Sequence, residues 1–211
     1  MSVPAELRGV WRRVGLEVGG SALEVSGWTV LWLQSEETFV DVRVFVGAGS
    51  PSPGEEGWAA AEPAPAPSAP GAPAPHVPLS GPTAFAGRAH WQPPTLTWVH
   101  DLDLHPGGGC DLGQLHWDDG LLVEQGIACL GGQRTGYVER WERVAGTEVP
   151  VVCRTPSDTV RLETETLAVQ LTLTPPGRGS IERRRSRDES WQTVRVVAGE
   201  LRSSSCDAPC V

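Results

Sequence analysis

Lysine is absent from this chain: all seventeen basic residues among its 211 are arginine. Together with heavy use of Ala, Gly and Pro, this marks GC-rich coding and carries no function. No window approaches the ~20 consecutive apolar residues that a membrane-spanning helix requires. Residues 1–9 lack the charged-then-apolar order of a signal peptide, so a cytoplasmic location is the expectation. The five cysteines, Cys110, Cys129, Cys153, Cys206 and Cys210, contain no Cys-x-x-Cys pair. Their odd, wide spacing fits reduced thiols better than a secreted disulfide framework.

Catalytic signatures are missing too. There is no Gly-x-Ser-x-Gly elbow, and no cysteine stands beside a histidine. Gly107-Gly108-Gly109 is followed by neither a helix nor Gly-Lys-Ser, so it reads as a hairpin loop and not as a phosphate cradle. The net charge of -9 argues against nucleic acid or an anionic membrane as partner, because such binders gain affinity by neutralising phosphates.

Short β-biased runs separated by turn residues are what the chain does contain. Between Pro94 and Val144 they come in close succession, with gaps at Gly107 to Gly109, Asp118-Asp119-Gly120 and Gly131-Gly132, the pattern of consecutive antiparallel hairpins. Earlier strands are expected over Leu7 to Val18, Trp28 to Gln34, Thr38 to Val46 and Thr83 to Trp91. Later ones are expected over Glu148 to Arg154, Thr159 to Glu163, Leu167 to Thr174 and Trp191 to Ala198. The fold class is therefore all-β: an antiparallel up-and-down β-barrel of about eight to ten strands with extra C-terminal strands. Closure into a barrel removes exposed strand edges. Residues 1–211 form a single domain in this reading. It is interrupted by a Pro/Ala-rich insertion at 47–82, expected to be disordered because it cannot bury enough apolar surface, and it ends in a loose tail at 203–211.

Side-chain alternation distributes the chemistry. Val40, Val42, Val44 and Val46 share one face of their strand, and Phe39, Asp41, Arg43 and Phe45 the other. If the valines pack on another layer, Asp41 and Arg43 point to solvent or a cavity. Leu96, Trp98, His100, Leu102 and Leu104 share a face in the next meander, and Tyr137, Glu139, Trp141 and Arg143 share one in its last strand. Arg183-Arg184-Arg185-Ser186-Arg187 is flanked by acidic residues and reads as a solvated hairpin tip.

Gly9-Val10-Trp11 at the head of the first strand resembles the opening of the lipocalin and wider calycin barrels. That resemblance implies that Trp11 plugs the closed end and stacks on an arginine of the last strand, for which Arg195 is the candidate. Phe39-Val40-Asp41-Val42-Arg43-Val44, Phe85-Ala86-Gly87, Trp98-x-His100-x-x-Asp103, Glu124-x-Gly126 and Gly136-Tyr137-x-Glu139-x-Trp141 further resemble, in order, a small fungal family of uncharacterised lipocalin-like proteins. The resemblance implies a barrel and no particular reaction.

The function expected is binding of a small hydrophobic or amphipathic molecule in the barrel. Phe39, Trp98, His100, Tyr137 and Trp141 would line the wall, and Arg43 and Arg143 would meet a polar or anionic head group. The plainer reading of the same charges is ion pairing of Asp41 with Arg43 and Glu139 with Arg143. An enzymatic alternative is a cofactor-independent isomerase, cyclase or hydratase. There His100 would be the base, Asp41 or Glu139 would orient it, and Tyr137 would donate to an oxyanion. A third option is an interaction scaffold, with a protein partner taken through the Pro-rich insertion. No cofactor is expected. No metal is expected either, since His100 and His105 have opposite parity on a strand and no His-x-His is present.

Loop-closure entropy varies slowly with length. Deleting residues 49–78 is therefore expected to leave the urea unfolding midpoint almost unchanged, and a collapse of soluble expression would show that the segment packs on the barrel.

Overall fold

A computed structural model describes residues 1–23, 28–45, 83–104, 110–130, 133–144, 147, 152–154, 159–164, 167–174, 178–184 and 192–197. For 44–45, 83, 129–130, 152–154, 173–174, 178–184 and 192–197 it describes the backbone course alone. The 47–82 insertion and the 203–211 tail lie outside the described residues.

Nine strands form the first sheet: β1 (Gly9–Val18), β2 (Ser21–Leu23), β3 (Trp28–Gln34), β4 (Thr38–Phe45), β5 (Thr83–Gln92), β6 (Thr95–Asp103), β7 (Cys110–Asp118), β8 (Leu121–Leu130) and β9 (Gln133–Arg143). β1 pairs with β3, each later strand pairs with the next, and β9 returns to pair antiparallel with β1. Eight strands thus close an up-and-down barrel, and β2 is a short hairpin partner of β1. The tightest sequence turn behaves as its residues dictate. Asp119 and Gly120 both hold positive φ, 46° and 79°, the conformation that a two-residue Asp-Gly hairpin loop between β7 and β8 needs.

A second, five-stranded antiparallel sheet follows: β10 (Val152–Arg154), β11 (Thr159–Glu163), β12 (Ala168–Thr174), β13 (Arg178–Arg184) and β14 (Gln192–Val197). β13 is a strand that the arginine-rich composition of its end hides, and Arg183 and Arg184 pair with Val169 and Ala168. The sheet packs on the outside of the barrel. Leu31, Leu33, Val40, Val42 and Ala86 of the barrel form one buried cluster with Val160, Leu162, Val169 and Leu171. The valine face of β4 meets this layer, so alternation turns Phe39, Asp41 and Arg43 to the barrel interior.

The N-terminal segment seals one end of the barrel. Val3 and Leu7 are buried with Trp11, Trp32, Trp98 and Trp141. A single 3-10 turn, Ala5–Leu7, positions the Leu7 carbonyl to accept a hydrogen bond from Trp11 Nε1 at 2.9 Å. The Val3 amide donates to the Glu36 carbonyl, and the Trp91 amide donates to the Met1 carbonyl. Gly9 adopts φ 126°, and a Cβ there would lie 2.7 Å from the Thr147 carbonyl oxygen, so the first residue of Gly-x-Trp is needed for both backbone conformation and space.

The arginine over Trp11 is Arg143, whose Cζ lies 4.4 Å from the ring centroid, and not Arg195. The barrel closes at β9, which makes β9 its last strand; Arg195 belongs to β14, the edge of the second sheet. Arg143 also donates to the carbonyls of Arg8 and Glu6. This cation completes the plug from below.

Trp11 is 1% exposed and stacks on Trp32. Truncation of Trp11 to Ala is expected to cost roughly 3–5 kcal/mol, read as the urea midpoint; a near-neutral midpoint would remove the plug from the stability argument.

Candidate functional site

Above the tryptophan floor lies a cavity of about 760 Å³. Trp32, Phe39, Phe85, Trp98 and Trp141 supply its apolar surface, and Arg13, Asp41, Arg43, Asp111, Glu124, Tyr137 and Glu139 its polar surface. Alternation sends one side chain in for each sent out, so in β4, where Val40 and Val42 pack on the second sheet, Asp41 and Arg43 enter the cavity.

Two bulges decide which residues enter. Between Arg13 and Gly15 the pairing of β1 with β9 slips by one. Both Arg13 and Leu16 therefore line the cavity, while Val14 is left exposed. Between Ala86 and Gly87 the pairing of β5 with β6 slips likewise, so that Gly87 faces His100, Phe85 faces Asp103, and Asp101 is the extra residue. A one-residue slip exchanges the two faces of everything beyond it. The expected face of Leu96, Trp98, His100, Leu102 and Leu104 is thereby broken. Leu96 and Trp98 are in the inner cluster, whereas Leu102 and Leu104 join the outer core, and Asp103 turns inward to His100.

Arg13 and Glu139 form a buried ion pair at 2.6 Å, their side chains 2% and 7% exposed. Arg43 Nε donates to Asp41 at 2.8 Å, and the guanidinium sits 5.1 Å from the Phe85 ring centroid. Burial pushes Asp41 above the usual carboxylate range, against the opposing pull of Arg43. The ion pair expected for Asp41 and Arg43 is thus present, though buried instead of wet. Glu139 pairs with Arg13 and not with Arg143, since Arg143 is spent under Trp11.

His100 stacks on Phe85 with centroids 4.4 Å apart. Its Nδ1 lies 2.9 Å from Asp103 and its Nε2 3.4 Å from Asp111. Burial by itself lowers its pKa, but the hydrogen bonds and charges of Asp103 and Asp111 outweigh that and raise it to about 9. Burial raises Asp111 as well, and the imidazolium more than reverses it. Neither Asp41 nor Glu139 orients this ring. An imidazolium holding carboxylates on both sides has no lone pair for accepting a proton at neutral pH, which runs against His100 as a general base.

Among the described residues Glu124 has no ion-pair partner, and its hydrogen-bond donors are neutral. One oxygen accepts from Tyr137 Oη at 2.7 Å, the other from Trp141 Nε1 at 3.2 Å. Burial first and then the charge of Glu139 push its pKa up to about 8. The same surroundings raise Tyr137, keeping the phenol protonated. Glycines make room for this group. A Cβ on Gly113 would lie 2.7 Å from Glu124 Cγ, and one on Gly126 would lie 2.4 Å from Tyr137 Oη.

Of the residues expected at the site, Phe39, Arg43, Trp98, Tyr137 and Trp141 line the cavity, as do Asp41 and Glu139. His100 stands behind Phe85 and Asp111, and Arg143 lies below the floor. Arg13, Asp111 and Glu124 went unnamed as site residues. Arg13 was accessible by alternation, two residues after Trp11 on the same face. Glu124 shares a face with Leu122 and Gly126, and only barrel closure shows that this face is the interior. Among the described residues no group of three or more His, Cys, Asp or Glu is arranged to hold a metal. Cys110, at the cavity rim, is disulfide-bonded, with a partner outside the described side chains. This corrects the expectation of a reduced thiol at Cys110.

Glu124 and His100 both bind protons more tightly in the folded chain than in the unfolded one. Stability is then lost as pH rises, from about 4.5 to about 8 for Glu124 and from about 6.5 to about 9 for His100. The urea midpoint is expected to fall between about pH 5 and 9, with Glu124→Gln flattening the lower part and His100→Gln the upper. A midpoint that rises over this range would contradict both assignments.

No family model, no curated protein and no solved structure matches the chain.

Proposed function

We propose that the barrel binds a small amphipathic molecule in its cavity. The observation that carries this reading is a space of about 760 Å³ with aromatic walls and fixed, buried polar groups, within the size range of about 300–1,000 Å³ usual for ligand pockets. A barrel serving only as a scaffold would gain by filling its interior, because every void forgoes packing contacts. Four groups support an oriented polar head: Asp41, Glu124 and Tyr137 with Arg43. The anionic head group expected to meet Arg43 and Arg143 has less support, since Asp41 already neutralises Arg43 and Arg143 is beneath Trp11.

The kinship suggested by the strand motifs, a fungal family of lipocalin-like proteins, belongs to the same reading and rests on those motifs. An isomerase, cyclase or hydratase working through His100 is the weaker alternative, for the protonation reason given above. A cytoplasmic setting is weakened in the same way by the disulfide at Cys110.

Native mass spectrometry of protein purified from its own cells, compared with the denatured protein, tests the proposal. A small molecule of defined mass, released on denaturation, is the expected result. Protein of bare chain mass that also leaves a panel of amphiphiles unbound would overturn it.

A further inference from the structure

We propose that the ligand carries a cationic amine, a primary or secondary ammonium on an apolar body, with Glu124 as its anchor. This rests on the reading of the cavity as a binding site. It follows from how the interior charges are already committed. Among the described residues, the carboxylates of Asp41, Asp103, Glu124 and Glu139, with the half-exposed Asp111 beside them, face the cations Arg13, Arg43 and His100. Arg13 is engaged by Glu139 at 2.6 Å, Arg43 by Asp41 at 2.8 Å and His100 by Asp103 at 2.9 Å.

The remaining carboxylates differ. Asp111 lies 3.4 Å from His100 Nε2 and shares that cation. Glu124 has neutral donors only, Tyr137 Oη and Trp141 Nε1, each using one site on one oxygen. An ionised carboxylate offers about four acceptor sites, so both oxygens can still accept from an incoming ammonium. Arg13 keeps Nε and Nη2 without a protein partner, but both are sealed from the open space and cannot greet an anion from the cavity. Arg134, an exposed residue of the cavity lining, is the cation that an anionic head would meet instead.

The walls suit the same ligand. Trp32, Trp98 and Trp141 line the cavity together with Glu124 and Asp41, whereas Phe85 is already engaged by His100 and Arg43; a desolvated cation is attracted to aromatic faces while its hydrocarbon body is buried against them. Burial and then the charge of Glu139 disfavour the bare carboxylate at this position, and an ammonium beside it would neutralise that charge. The ammonium displaces the carboxyl proton: the Glu124 O–H bond breaks, the proton leaves to buffer, and the ammonium takes its place as the neutralising group. Asp111, Glu139 and Asp41 add attraction, whereas Arg43 opposes it.

Isothermal titration calorimetry with three probes of equal chain length, 1-decylamine, decanoate and 1-decanol, near pH 7 tests the proposal. The amine is expected to bind at least ten-fold more tightly than either of the others, with a heat that changes between buffers of different ionisation enthalpy as the proton is released. Glu124→Gln, which keeps the side-chain shape, an acceptor oxygen for Trp141 Nε1 and an amide N–H that the Tyr137 hydroxyl can turn to accept, is expected to cut the amine's advantage over the alcohol about ten-fold or more. Decanoate or decanol binding as tightly as the amine would overturn the cationic assignment and leave the cavity a binding site. An amine preference that survives Glu124→Gln would overturn Glu124 as the anchor. Failure of all three probes to bind would overturn the binding reading itself, and this inference with it.

Discussion

The pairing of β1 with β9 is the constraint on which the remaining structure depends. It converts an eight-stranded meander into a closed surface with no free edge, and it brings Trp11 opposite Arg143. The indole then has the Arg143 cation over its ring and Trp32 stacked against it, while its N–H is satisfied by Leu7. Because the N-terminal turn caps this stack, water is kept out of one end. That exclusion lets charges a few ångströms above be held in fixed pairs and not solvated individually.

Those pairs are costly to assemble and costly to break. Removing one partner of a buried ion pair leaves an uncompensated charge, at about 3–5 kcal/mol, so Arg13 with Glu139 and Arg43 with Asp41 form a rigid polar belt around the cavity. Packing alone would be served at least as well by apolar residues of similar volume. Buried charges beside open space are what the proposed binding of an amphipathic ligand draws on, and Glu124, held between two neutral donors, is the acid of that belt with no ion-pair partner among the described residues.

Much of this was legible from residue order. Alternation in β4 separated Val40 and Val42 from Asp41 and Arg43, and the two sets now face the second sheet and the cavity. Asp119-Gly120 announced its hairpin, and Gly9-x-Trp11 announced a plug. The failures are equally specific. Alternation has no means of registering a bulge, so Leu102 and Leu104 were placed beside His100, and Asp103 was not. Identical arginines are equivalent in a list of residues, so the partner of Trp11 was sought at Arg195 when closure at β9 selects Arg143.

By itself, then, the sequence determined the all-β class, the succession of hairpins and the two-faced character of each strand, because these follow from local turn chemistry and period-two patterning. Asp41 with Arg43, two residues apart on one face, is the ion pair that alternation does encode. Which strand closes the barrel, where the ladder slips by a residue, and that Glu139 meets Arg13 were decided by tertiary structure alone, because strand pairing and contacts across the barrel, such as Arg13 with Glu139 at more than a hundred positions' separation, leave no local pattern.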